Sequence, residues 1–160
     1  MLTNNTKAPD FSLTADDNSV HSLNQYVGKP LVLLFLRGKF CPTTRKFLLE
    51  WQDFNRRIHT LKANLVAISY DSVSVQQELK KQYDIRFPLL SDPDLAVSKE
   101  YGVYLDTNKA GERYGEPAVV ILDKEGKVAY SLISSGPKGL PGPEYMANML
   151  IYMLAHDGVY

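Results

Sequence analysis

The sequence predicts an α/β fold in which a central mixed β-sheet carries helices on both faces. Three features indicate this fold: short apolar runs typical of buried strands, helical periodicity between those runs, and two late strands joined by a tight turn. Strands separated by helices favour parallel pairing, whereas the late strand pair adds antiparallel neighbours. The chain has 160 residues, 44% of them hydrophobic, which is enough for a core without disulfides. With no repeat or linker, one domain is expected over residues 1–160.

The first strand and helix surround the only cysteine of the chain. Residues 32–36 are continuously apolar and lie between 29–30 (KP) and 37–38 (RG), so they predict a strand buried on both faces. From Cys41 onward, apolar residues recur at helical spacing with charged residues mainly between them. This periodicity predicts a long amphipathic helix that ends near Ala63.

The middle of the chain repeats this order of strand and helix. Residues 65–69 predict a second buried strand, and residues 71–72 (DS) are suited to cap a helix that runs to about Tyr83. Residues 88–90 predict a short extended segment. A short helix is expected within residues 92–102, because this segment has proline near its first turn and glycine at its end.

The C-terminal part predicts a hairpin followed by a helix. The apolar runs at 119–122 and 128–133 are joined by 123–126 (DKEG), whose residues suit a hairpin turn. Residues 136–142 are rich in glycine and proline and predict a surface loop. A last helix is expected to follow 142–143 (GP).

Charge and hydropathy exclude several classes of partner. The 18 basic and 18 acidic residues cancel and are mixed along the chain, so no nucleic-acid surface is expected. The longest apolar stretch, residues 31–36, is too short to cross a membrane, and the N-terminus lacks the pattern of a secretion signal. These features predict a cytoplasmic protein that acts on a small substrate or a protein partner.

The cysteine and histidine content restricts the chemistry. A single cysteine excludes an intrachain disulfide and a zinc site built from several cysteines. His21, His59 and His156 are scattered without metal-ligand spacing, so neither a metal nor another cofactor is expected. If Cys41 undergoes redox reactions, the thiol that reduces it must come from another molecule.

Cys41 is the candidate nucleophile because it lies where a predicted strand ends and a helix begins. Ligands bind at this edge of open α/β sheets, and the free amides and dipole of a helix start stabilise a thiolate. Arg37, Lys39 and Arg45 lie close in sequence and add positive charge. Thr44 follows three residues later, so its hydroxyl is expected to face the sulfur. The alternative is a small buried apolar residue, which the position and the basic neighbours of Cys41 disfavour.

Several motifs resemble those of one protein family, in the same order. They are residues 8–13 (APDFSL), 35–42 (FLRGKFCP), 81–94 (KQYDIRFPLLSDPD), 99–103 (KEYGV) and 117–126 (PAVVILDKEG). Over nearly the whole chain, the sequence resembles the alkyl hydroperoxide reductase and thiol-specific antioxidant (AhpC/TSA) family, the peroxiredoxins of the thioredoxin-like superfamily. The resemblance implies a thioredoxin-like fold with its reactive cysteine in the segment 35–42.

Some positions depart from the family pattern. Peroxiredoxins usually carry a proline seven residues and a threonine or serine three residues before the reactive cysteine, where this chain has Leu34 and Gly38. They also carry an arginine at the start of the late strand, where this chain has Pro117. Pro117 resembles instead the cis-proline that thioredoxins place against their redox motif, which predicts a cis peptide bond and contact with Cys41. The second cysteine of the thioredoxin motif is replaced by Thr44.

The resemblance implies a one-cysteine thiol peroxidase that reduces hydrogen peroxide or small alkyl hydroperoxides. Its cysteine would become a sulfenic acid, which an external thiol or a thioredoxin-like or glutaredoxin-like protein would reduce. Redoxins of this type often form homodimers. The predicted site consists of the catalytic residues Cys41, Arg37 and Thr44 and the substrate-binding residues Pro117, Arg113 and Phe40.

Two alternative functions stay open at the level of the sequence. A monothiol oxidoreductase would exchange Cys41 with glutathionylated substrates, and Pro117 would shape the binding of an extended partner. A non-catalytic binding module would keep the fold without turnover, which the missing proline, threonine and arginine would allow.

Overall fold

The computed structural model describes residues 2–137, 140 and 142–156, and within them the chain forms nine β-strands and four α-helices. The strands are β1 (Ser12–Ala15), β2 (Val20–Ser22), β3 (Leu31–Phe35), β4 (Asn64–Ser69), β5 (Leu89–Ser91), β6 (Leu105–Thr107), β7 (Arg113–Gly115), β8 (Ala118–Leu122) and β9 (Val128–Ile133). The helices are α1 (Pro42–Thr60), α2 (Val73–Tyr83), α3 (Ala96–Glu100) and α4 (Pro143–Ala155), with a 3-10 turn at Leu23–Tyr26.

Seven strands of the described chain form one mixed sheet in the order β2-β1-β5-β4-β3-β8-β9. Strands β3, β4 and β5 run parallel, whereas β8 and β9 extend the sheet antiparallel on one side and β1 and β2 on the other. Every residue of β3, which lies between β4 and β8, is buried, because both faces of the sheet are covered. Strands β6 and β7 pair with each other as a separate antiparallel ribbon.

Helices cover both faces of the sheet, as the sequence predicts. Helices α1, α2 and α4 pack on one face, where Leu48 and Leu150 belong to the same buried cluster as Val32 of β3. Helix α3 and the N-terminal segment cover the opposite face, where the rings of Phe35 and Tyr101 lie 5.4 Å apart. Each face of the sheet therefore has its own apolar cluster.

The predicted strands and helices agree with the structure in type and order, and most differences lie at their ends. Helix α1 ends at Thr60 instead of near Ala63. It stops there because Lys62 adopts a left-handed backbone conformation with a φ of 55°. The amide of Leu61 then closes the last turn on the carbonyl of Arg57, 2.9 Å away.

The sequence patterns do not predict two hairpins, β1 with β2 and β6 with β7. These strands have three or four residues each, and their largely exposed or half-buried side chains give no clear alternation of apolar and polar residues.

The predicted surface loop at 136–142 includes Lys138, Gly139 and Pro141, which lie outside the described residues. None of the described helices is both long and apolar enough to cross a membrane.

The register of the central strands brings two loops together at one end of the sheet. Strand β3 pairs antiparallel with β8, so that Phe35 at the end of β3 faces Ala118 at the start of β8. The loop that leaves β3 contains Arg37, and the segment that enters β8 contains Glu116. Cys41 lies at the end of the first loop, immediately before α1.

We expect the packing of α1 against the sheet to carry much of the stability of this arrangement. Leu48 is fully buried, so Leu48→Ala should lower the free energy of unfolding by about 2 to 5 kcal/mol. The matched control is Leu154→Ala on the outer side of α4, where the side chain is 37% exposed and the loss should be about 1 kcal/mol or less. Denaturant unfolding of the two variants checks this difference, and equal losses would contradict it.

Candidate active site

The cysteine occupies the helix start that the sequence predicts. Cys41 is the N-cap residue of α1, with extended backbone angles, and Pro42 takes the first helical position. Its amide donates to the carbonyl of Gly38 at 3.1 Å, and its carbonyl accepts from the amide of Thr44 at 3.0 Å. The thiol is thus held at the amino end of a helix of 19 residues, where the helix dipole favours negative charge.

Two polar groups contact the sulfur directly. The Nη1 of Arg37 donates to Cys41 Sγ at 3.3 Å, and the hydroxyl of Thr43 lies 2.9 Å from the same sulfur. Burial by itself raises the pKa of the thiol, but hydrogen bonds from Thr43 and Arg37 and the charge of Arg37 lower it by more. The pKa of Cys41 therefore lies below its ordinary value, which favours the nucleophilic thiolate.

The predicted contact between Thr44 and the sulfur is wrong, and the neighbouring threonine makes it instead. An N-cap side chain lies beside the second and third helical residues, and here the second one, Thr43, turns its hydroxyl to the sulfur. Thr44 is buried, and its hydroxyl accepts a hydrogen bond from the amide of Gly38 at 3.3 Å. Thr44 therefore holds the loop that precedes the cysteine.

Of the three basic residues near Cys41 in sequence, Arg37 contacts the sulfur and the other two have different partners. The ammonium of Lys39 pairs with Glu78 on α2 at 2.6 Å. The guanidinium of Arg45 lies over the ring of Tyr83, 5.6 Å from its centroid. Of these three residues, only Arg37 therefore brings its positive charge into contact with the sulfur, although all three lie near Cys41 in the sequence.

Arg37 is held from three directions. Its Nε pairs with Glu116 Oε2 at 3.0 Å, and its Nη2 donates to Glu116 Oε1 at 3.0 Å. Nη2 also donates to the hydroxyl of Tyr114, which in turn donates to Glu116 Oε1 at 3.1 Å. Burial lowers the pKa of Arg37, but its bonds to Cys41 and Glu116 and their charges raise the pKa above its ordinary value, so the guanidinium stays charged.

A cavity of about 600 Å³ opens beside the sulfur. Phe40 lies at this cavity with 42% of its surface exposed, and its ring centroid is 4.9 Å from that of Tyr114. The residues that line the cavity come from the cysteine loop and from the β6–β7 hairpin: Arg37, Phe40, Cys41, Pro42, Thr107, Asn108, Lys109, Ala110, Glu112 and Tyr114. The cavity is within the size range of small-molecule sites and brings both aromatic and polar groups to the thiol.

The loop before the cysteine follows a path that glycine permits. Gly38 has a φ of 121°, and a methyl group there would lie 2.5 Å from a ring carbon of Tyr70. The buried carboxylate of Asp71 accepts from the amide of Lys39 at 2.9 Å and from the hydroxyl of Ser69 at 3.2 Å. These contacts fix the loop against the end of β4.

The structure places the remaining predicted residues outside the cavity lining. The peptide bond between Glu116 and Pro117 is trans, so the predicted cis bond is wrong. Pro117 is buried, but its neighbour Glu116 reaches the Arg37 guanidinium. Arg113 is exposed, because side chains alternate along β7 and Tyr114 takes the face toward the site.

No sequence motif points to Thr43, Tyr114 or Glu116 as residues of this site. Two of these residues could have been predicted together. Side chains alternate between the two faces of an extended strand, so Tyr114 and Glu116, which are two residues apart, lie on the same face. That prediction requires knowing that residues 113–115 form a strand. Among the described residues, no group of three or more histidine, cysteine or acidic side chains could hold a metal ion.

The comparison with known protein families settles the family. The model of the AhpC/TSA family matches residues 5–131. The chain belongs to the AhpC/TSA family. A relative, the putative peroxiredoxin Bcp of Coxiella burnetii, is 33% identical over 125 residues, which make up 77% of this chain and 83% of that protein. The chloroplastic peroxiredoxin Q of Oryza sativa subsp. japonica is 34% identical over 123 residues, 77% of this chain but 55% of that longer protein.

Solved structures support the same fold for this AhpC/TSA family member. The peroxidoxin BcpB of Mycobacterium tuberculosis superposes with a TM-score of 0.80 at 21% identity and covers 98% of each chain. AhpC of Enterococcus faecalis gives a TM-score of 0.82 at 21% identity, covering 98% of this chain and 96% of that one. These likenesses confirm the thioredoxin-like fold. The family assignment and the relative from Coxiella burnetii make the chain a peroxiredoxin, an oxidoreductase of the thiol peroxidase type.

We predict that Thr43, and not Thr44, lowers the pKa of Cys41. The rate of alkylation by iodoacetamide, plotted against pH, should give a wild-type midpoint below the ordinary cysteine value of about 8.5. Thr43→Val should raise that midpoint, because the thiolate loses a hydrogen-bond donor. Thr44→Val should leave the midpoint near the wild-type value and reduce stability, because the amide of Gly38 loses its acceptor. The reverse pattern would contradict the assignment.

Proposed function

We propose that this peroxiredoxin reduces hydrogen peroxide or small organic hydroperoxides through the thiolate of Cys41 and is regenerated by an external thiol. One observation carries the proposal: the sulfur is contacted by a guanidinium at 3.3 Å and a hydroxyl at 2.9 Å, at the wall of a cavity. Such an arrangement both stabilises the attacking anion and offers donors to a second anion formed next to it.

The oxidative step transfers one oxygen atom to the sulfur. The thiolate attacks the terminal oxygen of the hydroperoxide, an S–O bond forms and the O–O bond breaks, leaving a sulfenic acid on Cys41. The leaving oxygen departs as an alkoxide or hydroxide and takes up a proton to become alcohol or water. Arg37 stabilises the negative charge as it moves from the sulfur to the leaving oxygen.

Arg37 supplies the guanidinium that contacts the sulfur. The family resemblance implies an arginine at the start of the late strand, but Pro117 occupies that place. The loop after β3 supplies Arg37 from a different position, four residues before the cysteine. We infer that Arg37 replaces the missing arginine and that Thr43, as a hydroxyl donor, replaces the threonine or serine that Gly38 displaces.

The reductive steps require thiols from other molecules, because the 160 residues contain one cysteine. A first thiol condenses with the sulfenic acid to give a mixed disulfide and water. A second thiol attacks this disulfide, which releases the Cys41 thiolate, a proton and the oxidised thiol pair. Such a cycle is favoured in a compartment that keeps thiols reduced, which supports a cytoplasmic location and a small-molecule thiol or a thioredoxin-like or glutaredoxin-like reductant.

Of the functions that the sequence leaves open, the peroxidase is the one that the site favours. The monothiol oxidoreductase would use Pro117 to shape the binding of an extended partner, but Pro117 does not line the cavity at the sulfur. A binding module without turnover would have no need for a sulfur whose pKa is lowered by two donors. We therefore propose no second activity.

We expect hydrogen peroxide to consume the Cys41 thiol in a one-to-one ratio. Stopped-flow mixing followed by trapping of the sulfenic acid measures the second-order rate constant. Cys41→Ser should abolish the reaction, because serine is not a comparable nucleophile. Arg37→Lys should reduce the rate constant on the order of a hundredfold, because a lysine cannot contact both the sulfur and Glu116.

The matched control is Arg86→Lys, in which an exposed arginine that pairs with Asp84 is changed in the same way. Its rate constant should stay within about twofold of the wild type, since exposed ion pairs contribute little. A wild-type protein whose thiol survives equimolar peroxide, or an Arg37 variant that reacts as fast as the wild type, would overturn the proposed mechanism.

A further inference from the structure

We propose that Glu116 is a positioning residue of the active site, whose carboxylate orients the Arg37 guanidinium so that Nη1 faces the sulfur of Cys41. This inference rests on the proposed function, because it explains how Arg37 is directed to the reacting atoms. The peroxiredoxin pattern at the sequence level does not indicate it: Glu116 precedes the proline that stands where the family carries arginine.

The guanidinium is planar, and its N–H groups have fixed directions. Glu116 lies along the edge formed by Nε and Nη2. Nη2 donates a hydrogen bond to Oε1 at 3.0 Å, whereas Nε and Oε2 form an ion pair at 3.0 Å without hydrogen-bond geometry. Once that edge is held, the direction of Nη1 is determined as well. Nη1 is the nitrogen that lies 3.3 Å from Cys41 Sγ. The carboxylate of Glu116 thereby determines the geometry of the hydrogen bond between Arg37 and the sulfur of Cys41.

Glu116 is attached to a rigid part of the fold. It connects β7 to β8 and has 3% of its surface exposed. Its amide donates to the carbonyl of Tyr104 at 2.7 Å, and the next carbonyl, that of Pro117, accepts from Ser134 at 2.9 Å. The backbone on both sides of the carboxylate is therefore anchored, which a positioning residue requires.

Tyr114 completes the support on the same face of the strand. Its hydroxyl accepts from Arg37 Nη2 and donates to Glu116 Oε1, and the guanidinium carbon lies 4.7 Å from its ring centroid. Burial and the nearby carboxylate raise the pKa of Tyr114, so the hydroxyl keeps its proton at neutral pH. The guanidinium is thus fixed in its plane by Glu116 and contacted by the aromatic ring.

Glu116→Gln tests orientation with little change in volume. The carboxylate offers one oxygen to the hydrogen bond from Nη2 and the other to the ion pair with Nε, whereas an amide is uncharged and places an N–H group against one of these two nitrogens. We expect the second-order rate constant with hydrogen peroxide to fall by about 10- to 100-fold, measured well above the pKa of the thiol. Alkylation by iodoacetamide at the same pH should stay within about twofold of the wild type, because it forms no oxyanion for Arg37 to stabilise.

The ratio of the two rate constants separates positioning from a merely structural role. Glu116→Asp keeps the charge but withdraws the carboxylate by one methylene, so its peroxide rate constant should lie between those of Glu116→Gln and the wild type. Glu125→Gln is the control, since this half-exposed carboxylate pairs with Lys127 in the β8–β9 turn. Equal losses in both reactions, or a peroxide rate constant of Glu116→Gln within twofold of the wild type, would overturn the proposal.

Should Glu116→Gln fail to fold, Tyr114→Phe provides a second variant. It keeps the ring under the guanidinium and removes the hydroxyl that contacts both Arg37 and Glu116. A selective loss of peroxide reactivity of several-fold, with unchanged alkylation, supports the positioning arrangement. An unchanged peroxide rate constant in both Tyr114→Phe and Glu116→Asp would overturn it.

A double-mutant cycle on the pKa of Cys41 tests the inference without any peroxide. Arg37→Met should raise the pKa of Cys41 in the wild-type background, because the thiolate loses a donor and a positive charge. In the Glu116→Gln background the same change should raise the pKa by less than half as much, because Arg37 is no longer held at the sulfur. If Glu116 acts through its charge alone, the two increases are equal and the proposal is refuted. A wild-type protein inert to peroxide would refute the proposed function and leave this test decisive for the positioning role.

Discussion

The guanidinium of Arg37 reaches the sulfur from a largely buried position, with 16% of its side chain exposed, and a charge in that position must be paired and hydrogen-bonded. Glu116 and Tyr114 meet that requirement on one edge of the group, which leaves the opposite nitrogen for Cys41. The thiolate and the carboxylate thus share one cation. The reactivity of the sulfur consequently depends on a residue 75 positions away in the chain.

The fold satisfies this constraint through strand register. Because β3 and β8 are antiparallel neighbours, the end of β3 lies beside the start of β8. The loop that follows β3 and the segment that precedes β8 therefore meet at the same end of the sheet. The loop itself is confined by Gly38, whose backbone conformation and lack of a side chain let it pass against the ring of Tyr70. Asp71 then binds the next amide, so β4 also helps to place the thiol. The positions of β3, β4 and β8 in the sheet therefore together determine where the loop before Cys41 lies.

The sequence predicts those parts of the molecule that depend on local pattern. The apolar run of β3, the periodicity of α1 and the place of Cys41 between them follow from burial and helix geometry alone. The partners of Arg37 depend on contacts between residues far apart in sequence and on a three-residue strand with no clear pattern. The choice between Thr43 and Thr44 depends on side-chain geometry at the helix cap, which differs from the spacing rule for the helix interior.

The β6–β7 ribbon stands apart from the main sheet, and a two-stranded ribbon by itself is marginally stable in water. Its attachment includes the ring of Tyr114 under Arg37 and the backbone bond between Glu116 and Tyr104. Local opening of this ribbon and the integrity of the thiolate site are therefore thermodynamically linked. We therefore expect amide hydrogen exchange in residues 105–115 to report on the oxidation state of Cys41, since a change at the sulfur that loosens Arg37 would also lower the protection of the ribbon.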